Sequence, residues 1–210
     1  MFEKTVDWLT IAYMRPGFGK FKKKVDYNFK NYHKPIYLFT SKEKEGAHCT
    51  PFNTIIMQDI FFENYSKNVR DYIFLHEYGH TRLNFFLRLI FYILAIPALY
   101  LFFMIIPFVI VAPIMFWVVG FPKWFVAIAF FTYLFIFLAI SFIVLILSWS
   151  IEAHAELFAI KNIGEKNYLL AIQEVKKDSK KRNIFKKYFY HIRYPPIRLL
   201  LWFYRRRIKR

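Results

Sequence analysis

Two uninterrupted apolar runs dominate the chain. Residues 89–122 form 34 positions without a charge, and after Lys123 residues 124–151 add 28 more. Each exceeds the roughly 20 residues that a helix needs to cross a bilayer. Pro97, Pro107 and Pro113 fall in the first run, which predicts kinks or local unwinding there. Residues 119–123, with Gly120 and Pro122, predict a tight connection, so the runs read as transmembrane helices over 85–119 and 124–151. Ahead of them, Tyr72, Leu75 and Leu83 recur at helical spacing and predict a helix over 68–83. Gly79 sits in its middle at a cost of up to about 1 kcal/mol relative to alanine, as if another backbone came close. Further upstream, residues 35–40 and 52–58 are β-prone and flank a charged, turn-like 41–46, which predicts two short strands of a small sheet.

The two ends are different in texture. Residues 1–33 mix Trp8, Tyr13, Phe18 and Phe21 with lysines, and Pro16-Gly17 interrupts any helix. This basic amphipathic segment reads either as lying on a membrane surface or as a solvated arm. Residues 197–210 are too short to span. With Leu199, Leu200, Leu201, Trp202 and Phe203 beside Arg205, Arg206 and Arg207, they read as an interfacial anchor or as a helix packed on the rest of the protein.

Composition fixes the class. A chain 57% hydrophobic and 22% aromatic is too apolar for an ordinary soluble domain. The formal charge of +17 comes from the ends: 13 Lys and Arg precede Phe85 and 16 follow Ile160, against Lys123 alone in the connecting loop. That asymmetry predicts both termini at the cytoplasmic face. Basic residues flanking apolar spans fit anionic headgroups, so the lipid bilayer is an expected partner and nucleic acid is not. Cys49 is the only cysteine, which leaves histidine and carboxylate as metal ligands. Residues 1–10 carry Glu3 and Asp7 and lack the basic and apolar regions of a signal peptide.

The chemistry concentrates at His76-Glu77-Tyr78-Gly79-His80. Histidines four apart project from one helix face and can close on one zinc ion, with Glu77 between them as a general base. The bland alternative is a pair of core histidines satisfied by hydrogen bonds. A hydrolytic zinc needs a third protein ligand and an open position for water. Two spans return the chain to the face it left, so residues just after Ile151 can meet those just before Phe85. There Glu152 and Glu156 share a helical face at i, i+4, so that one can bind metal while the other braces a histidine; His154 is next in line. The run Ile55, Ile56, Met57, Gln58 is a candidate substrate edge strand, pairing with an extended peptide, or else a core strand.

These motifs resemble the integral-membrane zinc gluzincins of the HtpX heat-shock protease and type I CAAX prenyl protease kind. In that family an H-E-x-x-H helix and apolar spans are followed by S-R-x-x-E-x-x-A-D, whose glutamate is the third zinc ligand. Residues 148–156 read S-W-S-I-E-A-H-A-E, with Glu152 at the ligand position, Trp149 in place of Arg and Glu156 in place of Asp. His191-Ile192-Arg193-Tyr194-Pro195-Pro196-Ile197-Arg198 is similar to the family's late H-P-P-x-x-R-like element, which supplies groups near the substrate oxyanion. The resemblance implies a mainly α membrane protein: a two-span helical hairpin with a small α+β zincin-like catalytic domain at the cytoplasmic face. That domain comprises 34–84, with the sheet and the H-E-x-x-H helix, and 152–196, with the third-ligand helix. It further implies one zinc ion held by His76, His80 and Glu152, Glu77 as base, and Glu156 bracing a ligand. His191, Tyr194 and Arg198 are the candidates for oxyanion stabilisation. The implied activity is a zinc endopeptidase acting on peptide or membrane-protein substrates. The chain is short for this family, so prenylated substrates are not carried over. Three rivals remain: a site-2-type intramembrane protease, whose N-P-D-G-like element is missing here; a catalytically silent zinc-fold sensor or assembly factor; and a structural two-span protein.

Overall fold

A computed structural model describes residues 2–40, 46–117, 120, 122–179 and 194–207. Its elements are α1 (Phe2–Phe18), β1 (Lys20–Phe29), β2 (Tyr32–Thr40), β3 (Ala47–Cys49), β4 (Ile55–Gln58), α2 (Asp59–Asn64), α3 (Lys67–Thr81), α4 (Phe85–Trp117), α5 (Lys123–Ile163), α6 (Glu165–Ser179) and α7 (Ile197–Arg207). Two compact units result: residues 1–83 with 151–210, and residues 84–150.

The first unit is built on a four-stranded sheet of order β1-β2-β4-β3. β2 and β4 pair in parallel, Ile36 opposite Ile55 and Leu38 opposite Met57, and both are buried on each face. Their period-2 alternation splits the core accordingly. Ile36, Leu38, Ile55 and Met57 join residues of α3, α5, α6 and α7 in the main core, while Tyr37, Phe39 and Ile56 pack on the other side with Met14 of α1. The expected pair of strands is thus the centre of a larger sheet.

Residues 1–33 depart from the expectation of a separate basic segment. Pro16 lies within α1, and Gly19, at φ +96°, follows its end. β1 pairs antiparallel with β2, and its alternating Val25, Tyr27 and Phe29 pack on the core, while Lys24 reaches Glu3 and Asp7 of α1 and Lys22 reaches Asp59 and Glu63. Tyr37 donates a hydrogen bond to Asp7 of α1, holding that carboxyl below its usual value, while burial and the carboxylate push Tyr37 itself up to about 12.

α3 is fixed at both ends. Ser66 accepts from the Val69 N–H at 3.3 Å as an N-cap and donates to Glu174 of α6 at 2.8 Å. At the other end the Arg82 N–H closes on the Gly79 carbonyl at 3.1 Å. From the sheet, Tyr27 donates to Asp71 at 2.7 Å.

In the second unit, α4 runs unbroken through Pro97, Pro107 and Pro113, so the expected unwinding does not occur. The Tyr133 hydroxyl of α5 donates to the Leu101 carbonyl of α4, and the Phe102 and Phe137 rings lie 6.4 Å apart. α4 and α5 are long and apolar enough to cross a membrane, over Phe85–Met104 and Ala127–Ile163. Positions 118, 119 and 121 of the expected connection lie outside the described residues. α5 does not stop at 151 but continues to Ile163 as one helix, where Gly164, at φ +87°, ends it.

Candidate metal centre

α3 carries His76 and His80 one turn apart, and the last turns of α5 carry Glu152 opposite them. A close helix crossing sets this arrangement. A Cβ added at Gly79 would stand 2.8 Å from the Ala155 Cα and 3.1 Å from its carbonyl oxygen, so the two backbones meet where neither residue has bulk. Tyr32, Tyr78 and Phe158 wedge the same crossing, with ring centroids 5.2–5.8 Å apart. Tyr32 also donates to Asn162 near the end of α5 at 2.8 Å, tying α5 to the β1–β2 hairpin.

The result is a triangle of donors. His76 Nε2 lies 3.2 Å from His80 Nε2 and 3.4 Å from Glu152 Oε2, and His80 Nε2 lies 3.6 Å from the same oxygen. An ion about 2.0–2.1 Å from three tetrahedrally disposed ligands keeps them about 3.4 Å apart, so these spacings suit a tetrahedral centre with its fourth position open. Two imidazoles and a carboxylate are also a donor set suited to zinc and its neighbours rather than to magnesium or calcium. The group His76, His80 and Glu152 can hold a metal ion.

The surroundings are acidic and dry. Glu77, Glu152 and Glu156 are all buried, as is His76. Burial pulls the His76 ring down, but the Glu156, Glu152 and Glu77 carboxylates outweigh it and push it up to about 9. A buried set with this excess of carboxylate over fixed positive charge is stabilised by a bound cation. Glu156 addresses the ring nitrogen turned away from the triangle: His76 Nδ1 lies 3.6 Å from Glu156 Oε1, and that oxygen accepts from the Tyr72 hydroxyl at 2.9 Å. Tyr72 leans edge-on against Tyr168, centroids 5.5 Å apart. Tyr72 was legible only as an apolar helix position. Its place one turn before His76, on the stripe 72-76-80, is the signal that marks it as a partner of the ligands.

The other sequence-predicted residues divide. Tyr194 is half-buried with its ring 6.5 Å from that of His76. Arg198 is exposed on the first turn of α7 and shares no hydrogen bond, ion pair or ring contact with the ligands among the described residues. His191 lies outside the described residues. His154 is exposed on α5 and is not one of the three grouped donors. The edge-strand expectation for Ile55, Ile56, Met57 and Gln58 is overturned, because β4 is flanked on both sides, by β2 and β3, and all four residues are buried. Its run of apolar residues is that of an inner strand, and the strand bordering it, packed against α3, is β3. Compared with protein-family models, curated proteins and solved structures, the chain matches none.

Proposed function

We propose that this protein is a membrane-bound zinc endopeptidase that cleaves membrane or membrane-associated proteins. The observation that carries the reading is the buried donor triangle of His76, His80 and Glu152, with edges of 3.2, 3.4 and 3.6 Å, in which Glu77 follows one ligand on the same helix. When bound there, zinc supplies a water acidified toward neutral pH and polarises a carbonyl. Glu77 takes the proton of the attacking water and returns it to the leaving amine. Tyr194, beside His76, offers a hydroxyl to the developing oxyanion. Glu156 and Tyr72 orient the His76 ring.

The substrate enters in extended form along β3, whose outer side has no strand partner among the described residues. The two apolar helices anchor the chain as a hairpin, with both termini and the site on the cytoplasmic side, a reading that the basic residues at the two ends support. A site-2-type intramembrane protease is the poorer reading, because the histidines sit on α3, a 15-residue helix that carries Arg70 and Asp71, and not on α4 or α5.

The test pairs metal analysis with turnover. Purified full-length protein in detergent binds about one zinc per chain and cleaves an unfolded polypeptide such as casein. Glu77→Gln keeps the zinc and loses roughly 10²–10⁴-fold in rate, the usual weight of a general base. Zinc retained with no cleavage by the wild type replaces the peptidase by a silent sensor or assembly factor; no zinc at all leaves a structural two-span protein.

A further inference from the structure

α7 has two apolar faces and uses one. Leu200 is buried in the main core, and Ile197, Leu201 and Tyr204 pack beside it, a stripe at i, i+3, i+4, i+7. The opposite stripe, at the same spacing, is Leu199, Trp202, Phe203 and Arg206. There Leu199 is 52%, Trp202 50% and Phe203 40% exposed. Arg205 is already paired at the surface, donating from Nε to Glu165 of α6 at 3.1 Å. Arg198, Arg206 and Arg207 form no ion pair among the described residues, and the Arg206 guanidinium lies 4.6 Å from the Trp202 ring centre. No acidic residue occurs between 197 and 210.

We propose that this outward face of α7 is a docking site for an anionic bilayer surface: Trp202, Leu199 and Phe203 enter the headgroup boundary, and Arg198, Arg206 and Arg207 meet lipid phosphates and carboxylates. Charge and shape select this occupant. A second copy docked face to face would set arginine against arginine with no carboxylate to relieve it. A nucleic acid would satisfy the arginines but leave Leu199 and Phe203 in water. A lipid interface takes an indole at headgroup level, the aliphatic and phenyl groups just below it, and guanidinium groups reaching back to phosphate. α7 shares its chain with two helices long and apolar enough to cross a membrane, so a tethered docking contact can be weak. The proposal rests on the membrane reading of those helices and is independent of the peptidase chemistry.

The experiment uses the full chain with Cys49→Ser and a polarity-sensitive fluorophore on Trp202→Cys. It is reconstituted in nanodiscs of phosphatidylcholine alone, or with roughly 30% phosphatidylserine. In the anionic discs the label shifts to the blue and is quenched by brominated acyl chains, several-fold more than in the neutral ones. Adding Arg206→Glu and Arg207→Glu lowers the ratio of docked to undocked label on the order of fivefold per arginine. Should the Trp202 variant lose helix content by circular dichroism, the label on Leu199→Cys carries the same test. A label that stays in water, or is shielded equally by both lipids, overturns the proposal. So does shielding that follows protein concentration in detergent, the mark of a second copy, or that follows added RNA.

Discussion

Two stretches of one helix, the first uncharged after Lys123 and the second carrying acids, meet opposite surroundings. Between Lys123 and Ser150, α5 leaves many large side chains outward, with Phe131, Phe135 and Phe142 all exposed. Between Ile151 and Ile163 the same helix buries Glu152, Ala155, Glu156, Ala159 and Ile160 within the first unit. Charge separates the two, since residues 123–150 carry only Lys123 while residues 151–163 carry Glu152, Glu156 and Lys161, and side-chain size separates them again. A face with no protein neighbour accepts any bulk, whereas a face packed on protein is shaped by its neighbour. Alanines stand where α3 comes close, and acids stand where two imidazoles receive them.

The contrast is broken most sharply by moving the same kind of lesion along the helix. Glu152→Ala removes a donor from the triangle and is expected to weaken metal binding more than about 10²-fold, beyond the loss usual for an outer partner of a ligand. Ser150→Ala, two residues earlier, removes only an exposed hydroxyl that donates to the Ile146 carbonyl at 3.0 Å, and leaves metal content unchanged. Mass spectrometry of the purified variants measures both. Equal metal content in Glu152→Ala and wild type would make the change of surroundings after Ser150 irrelevant to the site.

The crossing itself comes next. Gly79→Ala gains up to about 1 kcal/mol of helix propensity. Against that, its new Cβ lies 2.8 Å from a backbone carbon of Ala155, and overpacking of this kind costs about 1–3 kcal/mol. The clash wins, because backbone cannot rotate away as a side-chain end can. Thermal unfolding followed by tryptophan fluorescence should show a net loss of about 1–2 kcal/mol, together with reduced metal occupancy. A stabilised variant would mean that α3 and α5 have room to part.

These two positions show what the chain discloses as text. The three grouped donors were legible because their chemistry is local: His76 and His80 are set by one helical turn, and Glu152 was reached from the expectation that a two-span hairpin returns the chain to the face it left. Gly79 announced a close approach without naming the partner, since which backbone fills the space is decided by tertiary packing. The strand edge was misread for a related reason. Ile55-Ile56-Met57-Gln58 has the same apolar character on an edge or in the middle of a sheet, and only the pairing of three-residue β3 with it, too short to register as a strand, decides between them. β1 was hidden by its lysines: five of its ten residues are Lys or Asp, and the alternating Val25, Tyr27 and Phe29 become a signal only once a sheet lies beneath them.

The finest test of the buried stretch of α5 is at Glu156, through a residue that touches no metal. Tyr72→Phe deletes the hydroxyl that donates to Glu156 Oε1 at 2.9 Å and keeps the ring that leans on Tyr168. The carboxylate that faces His76 Nδ1 at 3.6 Å then loses one of its restraints, and its charge is less well placed beside that ring. Partners of this kind set metal affinity by about 10- to 100-fold, and a single hydroxyl belongs at the lower end of that range. Competition with a zinc chelator resolves such a shift, and the melting temperature of the apo protein separates it from a packing defect, which would lower stability with or without metal. Unchanged affinity would show that Glu156 is held without the Tyr72 hydroxyl, and that the tyrosine one turn before His76 belongs to the core rather than to the site.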